Sequence, residues 1–158
     1  RRERVRSRKD ENPVRIIVDS KARTPIDSEI LNKGSGKRII LVSKKAPREK
    51  ISALRKYAEV IVCGGEEADL RKGIAELRKR GIRRLMVEGG AALNWGLLSQ
   101  GLVDEIYVYA APLIIGGEKA PSLVGGEGFD SKDTTGLRLL SARKMGDGIL
   151  LRWKVVKN

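Results

Sequence analysis

Apolar and polar positions along this chain fall into short blocks whose spacing switches repeatedly between strand-like and helix-like. The first block, residues 14–18 (Val-Arg-Ile-Ile-Val), is β-branched and nearly continuous, the pattern of a central strand covered on both faces. Residues 21–36 read as loop, punctuated by Pro25, Asn32, Gly34 and Gly36. A second strand at 38–42 ends in Ser43-Lys44-Lys45. Pro47 then opens a helix in which Ile51, Leu54 and Tyr57 recur at helical spacing. A third strand at 59–63 closes at Gly64-Gly65. Asp69 is placed to start the next helix, with Leu70, Ile74 and Leu77 as its apolar stripe and Gly81 as its stop after a basic last turn. Residues 84–87 read as a buried strand, broken at Glu88-Gly89-Gly90 and followed at once by a helix carrying Leu93, Leu97 and Leu98, with Gly101 as its end. Strands alternating with helices through short loops predict a mostly parallel sheet covered by helices.

The pattern then changes. Residues 104–111 read as a strand with Tyr107 and Tyr109 on one side and Ile106 and Val108 on the other. Both sides are apolar enough to need cover, one from this chain and one from a twin subunit. After a Gly-rich stretch at 116–128 come two strands, 137–144 and 149–156, joined by Met145-Gly146-Asp147-Gly148 as a hairpin. No long helix remains for a crossover, so these strands should pair antiparallel. The expected fold is one α/β domain spanning 1–158, with a mixed sheet and a charged tail or loop over 1–12.

Composition narrows the chemistry. The chain has 158 residues, enough for one domain with a substantial core. No apolar run approaches the roughly 18 residues needed to cross a membrane, and no secretory leader is evident. The sequence does not open with Met, which points to a trimmed or partial chain. Cys63 is the single cysteine, and there is no histidine. The absence of imidazole removes Ser-His-Asp and Cys-His catalysis and any zinc site built on histidine. A cytoplasmic enzyme or binding protein fits these features. The net charge of +13, with Arg1, Arg2, Arg4, Arg6, Arg8 and Lys9 in the tail, leaves a basic nucleic-acid-binding module as an alternative. Aromatic residues are few and do not interleave with the basic ones, so phosphorylated small molecules are the expected partners rather than nucleic acid.

Candidate chemistry sits where the strands end. In open α/β sheets ligands bind beyond the carboxyl ends of parallel strands. Here those ends carry Asp19-Ser20-Lys21, Ser43-Lys44-Lys45 and Glu88-Gly89-Gly90. Two glycines before a helix let a ligand approach the backbone closely, and the first helical N–H groups favour an anion. Hydroxyls and ammonium groups at two ends and a helix start at the third predict a nucleotide cofactor with a phosphorylated ribose.

Taken in order, Val87-Glu88-Gly89-Gly90, Leu93-Asn94, residues 101–106 (Gly-Leu-Val-Asp-Glu-Ile), Ala111-Pro112 and Gly116-Gly117 resemble the pyrimidine reductases of the riboflavin pathway, which share the dihydrofolate reductase-like fold. Residues 13–20 resemble the family's strand before the cofactor site. The resemblance spans nearly everything after Asn12 and is nearer to the free-standing archaeal and fungal enzymes than to the fused bacterial ones. It implies reduction of 2,5-diamino-6-ribosylamino-4(3H)-pyrimidinone 5′-phosphate to its ribitylamino counterpart, with hydride from NADPH or NADH. It implies cofactor contacts at Ser20 and along Gly89, Gly90, Ala91, Ala92, Leu93, Asn94, Trp95 and Gly96, and a substrate contact at Glu88. Ser43 and Lys44 fall where dihydrofolate reductases hold the adenosine end and its 2′-phosphate. The resemblance also implies a homodimer. It names no catalytic proton donor and no metal ligand. The family's Thr-x-Asp-Gly turn and Asp-Asp-Pro loop are not in this sequence, so a further N-terminal segment, on the same polypeptide or as a separate chain, is expected to complete the pocket. A dihydrofolate reductase proper is a second alternative, against which the carboxylate of Glu88 argues.

Overall fold

The computed structural model describes residues 12–130 and 133–156; the charged tail expected at 1–12 lies outside them apart from Asn12. The chain divides into two compact units, Arg1–Arg83 and Arg84–Asn158.

In the first unit the β-branched runs form the ladder they predict. Strands β1 (Arg15–Val18), β2 (Arg38–Val42) and β3 (Glu59–Val62) pair in parallel in the order β1-β2-β3. Parallel neighbours need crossovers, and helices supply the cover: α2 (Arg48–Leu54) follows β2 and α3 (Leu70–Lys79) follows β3. Alternation along β2 divides the core. Ile40 and Val42 pack with Ile51 and Leu54 of α2. Ile39 and Leu41 pack on the other side with Ile61, Cys63 and Leu77 of α3. The middle strand β2 is therefore buried on both faces, whereas β1, which among the described residues pairs only with β2, is half-buried. The central position expected for residues 14–18 belongs instead to residues 38–42, whose run Ile-Ile-Leu-Val has no charged interruption.

Helix ends follow local chemistry. Asp69 caps α3, its carboxylate accepting from the Lys72 amide at 2.9 Å. At the other end Arg80 donates to Glu59 of β3 at 2.6 Å and to Glu76 at 2.7 Å, tying helix to strand. Cys63 is buried beneath α3, and that burial pushes its thiol pKa up. Two expectations are corrected here. Residues 21–36 are not all loop, because Glu29–Asn32 forms one helical turn, α1, that buries Leu31. Tyr57 lies beyond the end of α2 and is exposed; the helix closes at Leu54, whose carbonyl accepts from the amides of both Tyr57 and Ala58.

The second unit opens with the largest departure. Residues 84–87 were expected to be a buried strand, yet they belong to no ladder among the described residues, and Leu85, Met86 and Val87 are exposed. An apolar run specifies a strand only when a neighbouring edge accepts its amides and carbonyls. The described parallel strands pair within the first unit and the antiparallel strands within the second. Helix α4 (Ala91–Leu98) follows, then β4 (Glu105–Ala110), β5 (Gly136–Met145) and β6 (Gly148–Val156). The order is β4-β6-β5, antiparallel throughout, with a register shift between Leu139 and Ser141. The tight turn at Gly146-Asp147 is the one the sequence predicts. Arg152 of β6 holds Glu105 of β4 through two hydrogen bonds at 2.9 and 3.0 Å and lies 5.6 Å from the centre of the Tyr107 ring.

Candidate functional site

In the first unit the three parallel strands present their carboxyl ends side by side, and the ladder runs on past them. The Asp19 amide donates to Leu41 O, the Ser43 amide to Ser20 O and the Lys44 amide to Gly64 O. Ser20 and Ser43, predicted from separate strands, are brought together. Ser43 is fully buried, its Oγ donating to the Ser20 carbonyl at 2.8 Å and accepting from the Lys45 amide. Ser20 Oγ accepts from the Ala68 amide at 2.9 Å. Both hydroxyls therefore hold strand ends in place, and Lys44, which is exposed, is the outward group of the set.

Asp19 directly follows β1 and is buried. Its carboxylate accepts from the Thr24 amide at 2.7 Å and the Thr24 hydroxyl at 2.6 Å. Burial alone would raise its pKa. The Thr24 hydroxyl, the amides of Arg23 and Thr24 and the Arg23 charge outweigh burial and hold the carboxyl below its ordinary value. The loop it closes places buried Ala22 at φ +53°, a conformation that non-glycine residues rarely adopt.

Beside Lys44 is an open cavity of about 510 Å³ lined by Lys44, Arg48 and Arg55 together with Ile51, Ser52 and Val62. No carboxylate lines it. Arg48 and Arg55 were missed by the reading of the sequence. The available signal was their spacing: seven residues is two helical turns, which puts Arg48 at the start of α2 and Arg55 at its C-cap on one side of the helix. Three cations beside the apolar side chains of Ile51 and Val62 suit a phosphate attached to an aromatic base.

In the second unit Glu88 is exposed, and Gly89 and Gly90 adopt φ +92° and +73°. A Cβ at Gly90 would have open space around it, so the glycine answers the backbone angle and leaves room for a ligand. Gly90 is the N-cap of α4 and supplies no side chain to the first helical amides, which keeps them available to an anion. Along α4, Ala92 is exposed, whereas Ala91, Leu93, Asn94, Trp95 and Gly96 are half-buried. Of these, Ala91, Asn94 and Trp95 contact the 123–129 segment of the same unit. Among the described residues no group of carboxylates and thiols could hold a metal ion, and no helix is long and apolar enough to cross a membrane.

Residues 1–151 match the family described as the RibD C-terminal domain. The chain belongs to that family. Among its relatives, the 2,5-diamino-6-ribosylamino-4(3H)-pyrimidinone 5′-phosphate reductase of Aquifex aeolicus is 45% identical over 154 residues, covering 96% of this chain and 69% of the relative. The protein of the same name from Methanothermobacter thermautotrophicus is 43% identical over 153 residues, covering 96% and 70%. Solved structures share the fold. A pyrimidine reductase-like protein from Corynebacterium diphtheriae superposes with a TM-score of 0.76 at 23% identity, over 92% of this chain and 62% of the other. Acinetobacter baumannii RibD gives 0.74 at 22% identity, over 96% and 42%. The chain thus spans about 70% of those two curated reductases and less than two thirds of either solved chain. The two curated relatives are named reductases, and the dihydrofolate reductase-like architecture expected from the sequence agrees with the fold shared with the solved structures. The alternatives of a dihydrofolate reductase proper and of a basic nucleic-acid-binding module find no support among these RibD-family relatives.

Proposed function

We propose that this chain carries the reductase activity of riboflavin biosynthesis, converting 2,5-diamino-6-ribosylamino-4(3H)-pyrimidinone 5′-phosphate to the ribitylamino compound with NADPH as the preferred reductant. The observation that carries the reading is the identity of more than 40% to two reductases of that name over nearly the whole chain. The conversion opens the sugar ring: a hydride reaches the anomeric carbon, its bond to the ring oxygen breaks, and that oxygen takes a proton. The bound nicotinamide supplies the hydride. The chain's own residues bind and align. In the second unit the Gly89-Gly90 turn and the first amides of α4 receive phosphate, and Glu88 orients the substrate; in the first unit Lys44, Arg48 and Arg55 offer a separate set of cations to phosphate. Ser20 and Ser43 contribute by fixing the strand ends in the first unit. The test is to incubate the protein with the ribosylaminopyrimidine phosphate and NADPH. Oxidation of NADPH matched by formation of the ribitylamino product supports the reading; cofactor binding without turnover of this substrate rejects it.

Cofactor preference follows from the cations of the first unit. Lys44→Ala and Arg55→Ala should each weaken NADPH by about five- to tenfold, the range for a charge-assisted contact at a partly exposed site, and leave NADH nearly unchanged. Equal losses for both dinucleotides would remove those cations as the selector.

Assembly is part of the same proposal. Tyr107 and Tyr109 of β4 are exposed, which supports a face covered by a second copy in a cytoplasmic homodimer. Sedimentation at micromolar concentration should show the dimer; a monomer alone would contradict it.

A further inference from the structure

Segment 123–129 is fastened along one side of α4. The Gly125 amide donates to the Ala91 carbonyl at 3.0 Å. Asn94 Nδ2 donates to the Leu123 carbonyl at 2.8 Å. The Trp95 and Phe129 rings meet at 4.7 Å between centroids, tilted by 57°. Gly126, at φ +81°, lies so close that a Cβ there would stand 2.2 Å from the Trp95 ring. Positions 91, 94 and 95 share one helix face, so this face is covered by the chain itself.

Asn94 also reaches the other way. Its carboxamide packs on Gly89, where a Cβ would come within 3.0 Å of Nδ2. One side chain therefore touches both the 123–129 segment and the paired-glycine turn. Two adjacent glycines leave a turn many alternative conformations, and a turn held in its binding conformation loses less entropy when ligand arrives. We propose that Asn94 is a positioning residue: anchored by Leu123, it holds the Gly89-Gly90 turn in the conformation that receives a dinucleotide, and it does not itself contact the cofactor. The family resemblance implies a cofactor contact at Asn94; the geometry gives its donor to the chain. This inference rests on the reading that the turn binds a nicotinamide dinucleotide.

The test compares Asn94→Ala, Gly126→Ala and the double variant in the full chain, with circular dichroism to confirm folding. Gly126→Ala drives the segment off Trp95 without altering the helix. Hydrogen exchange at the Gly125 amide reads the fastening with no ligand present, and calorimetry with NADPH reads the turn. The wild-type amide should be protected and both single variants should release it. Each should bind NADPH about three- to tenfold more weakly, the range for one lost hydrogen bond. The double variant should be no worse than the weaker single, because both changes free the same segment. Asn94→Gln, which keeps the donor, should recover part of the affinity. Full affinity in Asn94→Ala, or losses that add, would overturn the inference. A wild-type protein that binds no dinucleotide would overturn the functional reading instead, and amide exchange would still decide whether Asn94 fastens the segment.

Discussion

Replacing Gly90 by valine is expected to lower affinity for the nicotinamide dinucleotide at least tenfold, about 1.4 kcal/mol, and to lower stability as well. The two effects have different origins. Gly90 sits at φ +73° and ψ 140°, and a β-branched residue held in such a sparsely populated region costs on the order of 1–3 kcal/mol. The affinity loss comes from bulk introduced where the backbone must meet phosphate, in space that the glycine leaves open. Gly81→Val separates them. Gly81 adopts φ +81° after α3 with open space around it, and it carries no proposed ligand. That variant should lose stability to a similar degree and keep its affinity. Calorimetric titration of both variants makes the comparison, and unchanged binding by folded Gly90→Val would reduce the turn to a structural corner.

The second large effect is expected at Asp19. Asp19→Ala leaves the Thr24 amide and hydroxyl without their buried acceptor, a loss of about 1.5–3 kcal/mol for hydrogen bonds to a charged group. Denaturant unfolding should show a lower midpoint at an unchanged slope. The effect has a pH signature. The folded-state pKa of Asp19 is depressed, so its ionisation stabilises the fold fully above its unfolded value of about 3.9. That contribution disappears as pH falls through the lower, folded value. The gap between wild type and Asp19→Ala should therefore be constant near neutrality and shrink only in acid, below about pH 4. A gap that closes already between pH 5 and 7 would assign the stabilisation to another group.

How much of this was legible in the residues depended on whether the signal was local. The parallel strands declared themselves because Ile39 to Val42 and their neighbours are β-branched runs with turn residues after each. Asp69 declared the start of α3 because a capping carboxylate needs only the amide three residues on. The hairpin was legible in Gly146-Asp147 for the same reason. Residues 84–87 failed because apolarity announces burial without naming the partner strand, and a ladder is a property of two segments. Ser43 was legible as a strand-end hydroxyl, but not the direction of its Oγ, which is set by the Ser20 carbonyl on the adjacent strand. Arg48 and Arg55 were hidden by the general excess of basic residues. Their seven-residue spacing puts them on one side of the helix, but only the structure shows that this side lines a cavity with Lys44.

Burial of Cys63 has a practical consequence. As the single thiol of the sequence, packed between β3 and α3 with its ionisation suppressed, it is shielded from reagents until that packing opens. A thiol-reactive dye added to the folded chain would be consumed only as fast as the β3–α3 interface breathes. The labelling rate therefore becomes a native-state clock for that opening, readable by mass without any engineered probe.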